Sequence, residues 1–317
     1  MIAELFLKIP NGYETLKSDD VIFPPFSDND VPQFSPARVW FELRKLNPNK
    51  STVPGDFPVK LTKHFAAYLA EPLTDILNTS IKRGEYPNIY KVELSTPVPK
   101  AHPTVKTSHL RNISGLFHFD KVIEKLLAEL IISDIQENLD PSQYGNQRQM
   151  SIQHYLVKML HSILRALDDS SKKQAVLANF INWDNAFPRQ CPKLGVQSFL
   201  KNGVRPSLMP VLINYFQDRY MSVKWHGHTS KPRKVNGGGP AGATLGLLEY
   251  ISQSNDCADA VPVDDRFRFV DDLSFLEIIN LLMVGLVTFD VSRNVSSNLL
   301  ESNLFLPPES LKSQQYL

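Results

Sequence analysis

The sequence predicts an α+β domain preceded by a helical subdomain, and three observations predict it. Apolar residues recur near helical spacing in several stretches of the first 170 or so positions. Beyond about residue 175 the texture changes to short strand-like runs interleaved with short helices. The order, helices first and then mixed α and β, suggests an α+β domain preceded by a helical subdomain.

Taken in order, residues 1–34 are rich in Pro and Asp (FPPFSDNDVPQF) and read as an irregular lead-in or linker. Ser35-Pro36 starts a helix, Ser suiting the N-cap and Pro the first turn, with Val39, Phe41, Leu43 and Leu46 behind it. The loop NPNKSTVPGDFP ends it, and Leu61, Phe65, Leu69, Leu73 and Ile76 predict one helix from Val59 to Lys82. Glu93 to Val98 alternates into a strand that stops at Pro99-Lys100. Helices follow at Phe119–Leu139 and Ile152–Leu167, separated by the polar loop PSQYGNQRQMS. Ala175–Ile181 then reads as a strand, and Pro192–Asn202 and Pro206–Gln217 as short helices. Tyr220–Val235 reads as a hairpin, GGGPAGATLG opens another helix, and Val261–Phe275 reads as paired strands. The apolar stretch from Leu276 returns to helix.

Composition narrows the classes. Hydrophobic content of 42% and charged content of 21% are ordinary for a globular protein. A net charge of +1 leaves any nucleic-acid partner to local clustering. Cys191 and Cys257 lack paired spacing, which argues against a disulfide framework or a zinc site. The start MIAELFLKIP lacks signal-peptide features, and the Leu276 stretch is broken by Glu277 and Asn280, too short to span a bilayer. The expectation is a soluble intracellular chain without a membrane partner.

The stretch RFRFVDDLSF sets Asp271 and Asp272 between strand-forming residues, where Asp is costly. An isolated VDD string is most often an acidic turn, as the nearby Asp264-Asp265 pair is read. The sharper reading is half of a metal site. Two-metal phosphoryl transfer needs divalent cations about 3.5–4 Å apart bridged by carboxylates, and Mg²⁺ prefers oxygen ligands.

Four segments in order, FINWDNAFPRQ, RPSLMPVLINYFQDR, GGGPAGATLG and FVDDL, resemble the palm of reverse transcriptases, with the likeness strongest to the non-LTR (LINE-type) retrotransposon group. In the front half TPVPK, LRNISG with KVIEKLL behind it, and QYGNQRQMS resemble that group's finger motifs, so the likeness spans about residues 37–289. It implies a right-hand polymerase palm, a small antiparallel sheet with helices, over 175–289. Helical fingers would occupy 35–174 and a polar tail 290–317. It also implies RNA-templated DNA synthesis with two Mg²⁺ ions, an RNA template, a DNA primer and dNTPs, in cytoplasm or nucleus. By the same likeness Asp271 and Asp272 are metal ligands, and Phe187 is the aromatic that blocks a ribose 2′-hydroxyl. Lys100 and Arg111 lie near the triphosphate and template, where a guanidinium suits phosphate, and Gly239, Pro240, Ala241 and Gly242 form the substrate-facing loop.

Two positions depart from the pattern. The family's other metal-binding Asp falls on Asn182, and its Pro-Gln-Gly is here Pro240-Ala241-Gly242. Asp184 shares a strand face with Asn182 but lies roughly 6.5 Å further along, a poor fit to ligand distances near 2.0–2.1 Å. An Asn carbonyl can coordinate but brings no negative charge, so impaired catalysis is expected. After the Leu276 stretch no helical thumb is recognisable. Alternative readings are a catalytically dead nucleic-acid-binding remnant and an α+β protein without a nucleic-acid role. Arg219, Lys224, Lys231, Arg233 and Lys234, interleaved with Tyr220 and Trp225, suit either a nucleic-acid contact or a solvated hairpin. His226 and His228 lack partners for a metal.

Overall fold

A computed structural model of the chain describes residues 2–50, 53–100, 106, 109–147, 149–168, 173–183, 185–240, 242–280 and 311–316. Along the chain run α1 (Ile2–Leu7), α2 (Pro36–Lys45), α3 (Val59–His64), α4 (Ala66–Arg83), β1 (Val92–Pro99), β2 (Leu110–Gly115), α5 (His118–Ile135) and α6 (Ile152–Leu167). They are followed by β3 (Gln174–Trp183), α7 (Pro192–Lys201), α8 (Met209–Phe216), β4 (Arg219–Trp225), β5 (His228–Thr229) and β6 (Arg233–Val235). Last come α9 (Thr244–Gln253), β7 (Arg266–Phe269), β8 (Asp272–Asn280) and β9 (Leu311–Tyr316). The result is mixed α and β, compatible with the α+β class expected.

Two compact units form, each from two chain segments: Met1–Glu137 with Phe187–Tyr250, and Asn138–Ala186 with Ile251–Leu317. The units therefore do not follow a single cut near residue 174. The α6 segment, read as part of the fingers, joins the second unit, and the stretch from Phe187 to Tyr250 joins the first.

In the first unit β1 pairs antiparallel with β2 and parallel with β4, which also carries β5 and β6. The Ser35 hydroxyl accepts a hydrogen bond from the Arg38 amide at 3.3 Å, capping α2 as its Ser-Pro start predicts. Phe65 divides the single helix expected over Val59–Lys82 into α3 and α4. The first 34 residues are anchored rather than free. Ala3 and Leu7 pack with Met221 and Val223, and Leu16 and Val21 are buried. Burial of that apolar surface, at about 25 cal/mol per Å², holds a segment whose polar composition alone reads as linker.

The core of the first unit holds an unusual concentration of charge. Glu93, Asp120, Glu124, Glu249 and Arg219 are all buried. The Glu124 carboxylate accepts from the Tyr215 hydroxyl and from the Thr244 amide at 2.7 Å, and the Tyr86 hydroxyl donates to Asp120. Glu249 is fully buried, and among the described residues neither of its carboxyl oxygens has a hydrogen-bond partner. Burial raises the pKa of all four acids, Glu249 to about 8. Four carboxyls facing one guanidinium are tolerable in low dielectric only if most stay protonated.

The second unit is an antiparallel sheet in the order β7-β8-β3-β9, with α6 packed on β3 and β7. Tyr155 of α6 meets Phe267 and Leu276, and Met159, Ile163, Val176 and Ala178 close around them. Here the Leu276 reading is corrected: Leu276 to Asn280 continue strand β8, opposite Gln174–Ala178 of β3, instead of forming a helix. Residues 281–310, which include the rest of that stretch and most of the polar tail, lie outside the described residues. Arg268 on β7 is buried. It reaches the Asp140 carboxylate, the Asn255 carbonyl at 2.8 Å and the Ser254 hydroxyl at 2.7 Å.

Candidate active site

The second unit carries the acidic turn. β7 and β8 form a hairpin whose tip is Val270-Asp271, and β8 runs antiparallel to β3 with Asn182 directly opposite Asp272. Directly opposed residues of an antiparallel pair share a face, with Cβ atoms about 4.5–5.5 Å apart. The fold thus brings Asn182 beside the Asp pair, its cross-strand partner being the second Asp. Asp271 is half-buried and Asp272 exposed. Desolvation first, and the Asp271 charge second, raise the pKa of Asp272. Asp184 lies outside the described residues.

Two features that sequence reasoning missed fix the turn. Val270 has φ of 60°, a left-handed conformation unfavourable for a β-branched residue. The Gln143 side-chain oxygen accepts from the Val270 amide and from the Gly145 amide, both at 2.9 Å. A Cβ on Gly145 would stand 2.5 Å from the Val270 nitrogen, so only glycine lets this loop lie against the turn. Ser142 and Tyr144 add backbone bonds to Arg268 of 2.9 and 2.8 Å. The sequence reading set this Gln-Tyr-Gly among the finger motifs, away from the acidic turn. Its partner becomes visible only in the fold.

As donors, Asp271, Asp272 and the Asn182 carbonyl are hard oxygens suited to a divalent cation of the Mg²⁺ kind. A carboxylate whose charge raises its neighbour's proton affinity is the pattern a cation relieves. Among the described residues, however, no group of three or more His, Cys, Asp or Glu is placed to hold a metal. The donors gathered here are two carboxylates and one neutral side-chain carbonyl.

In the first unit Phe187 tilts against the buried Tyr250 ring at 5.3 Å between centroids. The buried Gln190 binds this turn to the glycine loop. Its side-chain oxygen accepts from the Gly239 amide and its nitrogen donates to the Gly246 carbonyl, both at 2.8 Å, while its backbone carbonyl accepts from the Gly238 amide at 2.8 Å. Pro240 is buried and Gly242 exposed, and Ala241 lies outside the described residues. No pattern in the sequence marked Gln190. Lys100 and Arg111 sit two rungs apart on the β1–β2 hairpin, both exposed, with Arg111 opposite Val98 and the Lys100 amide donating to the His109 carbonyl at 2.7 Å.

The basic hairpin changes character. Arg219 is buried among the carboxyls, Arg233 pairs with Glu4 at 3.2 Å and Lys234 with Asp218 at 2.8 Å. Among the described residues only Lys224 and Lys231 of that series remain as free charge, which removes most of the argument for a nucleic-acid contact there. His226 forms the hairpin turn with Gly227 and His228 follows it, both exposed.

No family model matches the chain. Over 211 residues, 63% of the chain, the sequence is 27% identical to the Drosophila melanogaster protein named "Probable RNA-directed DNA polymerase from transposon BS". The chain spans 23% of that protein's length. This supports a relationship of the retrotransposon reverse-transcriptase kind. Among the described residues no helix is long and apolar enough to cross a membrane.

Proposed function

We propose that this chain is a reverse-transcriptase-like domain of retrotransposon origin whose nucleotidyl transfer is impaired. The observation that carries the reading is the register of β3 and β8, which sets Asn182 against the Asp271-Asp272 hairpin. In this reading the β7-β8-β3-β9 sheet with α6 is the palm core, and the β1–β2 hairpin with Lys100 and Arg111 belongs to the fingers. The partners are an RNA template, a DNA primer and dNTPs. The relative's printed name supports that substrate class.

Asp271 and Asp272 would hold a Mg²⁺ ion, which when bound lowers the pKa of a primer 3′-hydroxyl and neutralises phosphate charge. Phe187 would exclude a ribose 2′-hydroxyl by bulk, held by Tyr250 beneath and by Gln190, which ties its turn to the Gly238–Gly239 backbone. Lys100 and Arg111 would meet phosphate oxygens. Asn182 would supply a neutral oxygen where the family pattern has a carboxylate, so the site would be one negative charge short against two dications. Coulomb energy at about 4 Å is about 4 kcal/mol per charge pair at an effective dielectric of 20. One missing carboxylate is enough to suppress catalysis by several orders of magnitude. Mg²⁺-dependent primer extension on an RNA template tests the reading: the chain as it stands extends poorly, and a chain with the carboxylate restored extends well.

A further inference from the structure

Residues 9–21, whose composition reads as linker, are fastened to the first unit along their length. Leu16 and Val21 are buried, the Lys193 ammonium meets the Asp20 carboxylate at 2.9 Å, and the Gln217 side-chain nitrogen donates to the Leu16 carbonyl at 3.2 Å. The Asn11 side-chain oxygen accepts from the Asn236 amide at 3.2 Å, and the Thr15 hydroxyl donates to the Asn236 side-chain oxygen at 3.2 Å. The residue after Asn236 is Gly237, the first of the glycine loop.

Tyr13 reaches both that loop and the Phe187 turn. Its ring lies so close to the Gly237 backbone that a Cβ on Gly237 would stand 2.4 Å from the ring Cδ2. Its hydroxyl donates to the Arg189 carbonyl at 2.5 Å, two residues past Phe187. A Cβ on the next glycine, Gly238, would meet the Phe187 carbonyl oxygen at 3.2 Å. Gly237 thus packs on Tyr13, Gly238 packs on the Phe187 turn, and the Tyr13 hydroxyl ties that turn back to the same ring. Burial pushes the Tyr13 phenol up from 10 to about 12, so the hydroxyl stays a donor at neutral pH. Packing on Gly237 needs only the ring. The hydroxyl, spent on a main-chain carbonyl, fixes how far the Phe187 turn stands from the loop. An aromatic that selects a sugar by bulk works at one depth, and a shift of about 1 Å in a positioning group can cost about 100-fold.

We propose that Tyr13 is a positioning residue for sugar selection, setting the depth of Phe187 against the glycine loop. The inference rests on the reverse-transcriptase reading of Phe187, and it adds a residue from ahead of position 37, where the family likeness begins.

The test is primer extension with a dNTP and with the matching rNTP, by the full chain carrying Asn182→Asp and Ala241→Gln. Tyr13→Phe in that background keeps the ring and removes the hydroxyl. It should lower the ratio of kcat/KM for dNTP over rNTP about threefold to tenfold, the range of one hydrogen bond, by a gain on the rNTP. Tyr13→Ala should lower the ratio further. Lys193→Ala, which frees the same segment at Asp20, should leave the ratio unchanged. Gly237→Ala should lower Tm alone and lower it less beside Tyr13→Ala, since the ring it strikes is then gone. A Tyr13 that only stabilises the fold would lower Tm and slow both substrates equally, and an unchanged ratio in extending Tyr13→Phe chains overturns this inference alone. Equal Tm losses from Gly237→Ala in the two backgrounds would also overturn it. Extension by none of these folded chains overturns the reverse-transcriptase reading and this inference with it.

Discussion

Replacing Glu249 with Gln should stabilise the protein, and by an amount that grows with pH. Glu249 is fully buried with neither oxygen hydrogen-bonded among the described residues, and burial lifts its pKa from the ordinary 4.5 to about 8 against the partial relief of Arg219. The folded pKa lies above the unfolded one. The folded state thus loses nothing below pH 4.5 and is progressively disfavoured as pH rises through 8, because the unfolded chain gives up this proton first. Each pH unit between those values costs about 1.4 kcal/mol. The ionisation penalty is about 1 kcal/mol at pH 5, about 3 at pH 7 and about 4 at pH 7.5. Gln keeps the shape and the buried polarity but has no proton to lose. Urea unfolding of parent and variant at pH 5 and pH 7.5 should therefore show the variant's advantage widening by about 3 kcal/mol, roughly 1 M in midpoint at a slope near 3 kcal/mol/M. Asp120, Glu124 and Glu93 titrate in both proteins, so the difference isolates Glu249. An advantage that is the same at both pH values would refute the reasoning.

Further outcomes follow from close contacts. A Cβ on Gly195 would stand 2.3 Å from the Glu249 carboxyl, so Gly195→Ala should cost about 1–3 kcal/mol alone and close to nothing beside Glu249→Ala, a coupling readable in a double-mutant cycle. Asp140→Ala should cost about 3–5 kcal/mol in a thermal or denaturant melt, since it leaves Arg268 buried without its carboxylate and removes a partner of Arg266 at 3.1 Å. Burial acts to raise the pKa of Asp140, but the Ser142 amide and both arginines outweigh it and hold the pKa down. The parent's Asp140 contribution is accordingly full at neutral pH and lost as pH falls through that lowered value, and Asp140→Asn should remove the corresponding acid-side loss in a pH series of melts. Val270→Gly should raise stability by about 1 kcal/mol, the relief of a left-handed β-branched residue exceeding glycine's entropic cost, as measured by the denaturation midpoint.

Much of the architecture is legible where one local signal dominates. Ser35-Pro36 announces α2, and the Asp264-Asp265 pair does lie in a turn while the Asp271 pair sits at a hairpin. Strand β8 is hidden after Leu276 because Leu276–Asn280 runs on into a long apolar stretch, and such a stretch has the same composition in a strand as in a helix. The break at Phe65 has no Gly or Pro to announce it. Arg219 shows the limit of counting charge: its basic neighbours lie on the surface, yet its side chain faces four carboxyls contributed by α5, α9 and β1, which only the fold assembles. Gln143 and Gln190 are invisible for the same reason. Each organises a turn from a segment distant in sequence, through hydrogen bonds that no local pattern encodes.

The most direct test of the central claim is Mg²⁺-dependent primer extension on an RNA template, comparing the chain as it stands with one carrying Asn182→Asp and Ala241→Gln. Extension by the repaired chain alone is the predicted result, and it would tie the loss of activity to those two positions. Equal extension by the unaltered chain would contradict the account, because Asn182 would then be no defect. Extension by neither, despite intact folding, would contradict the polymerase reading itself.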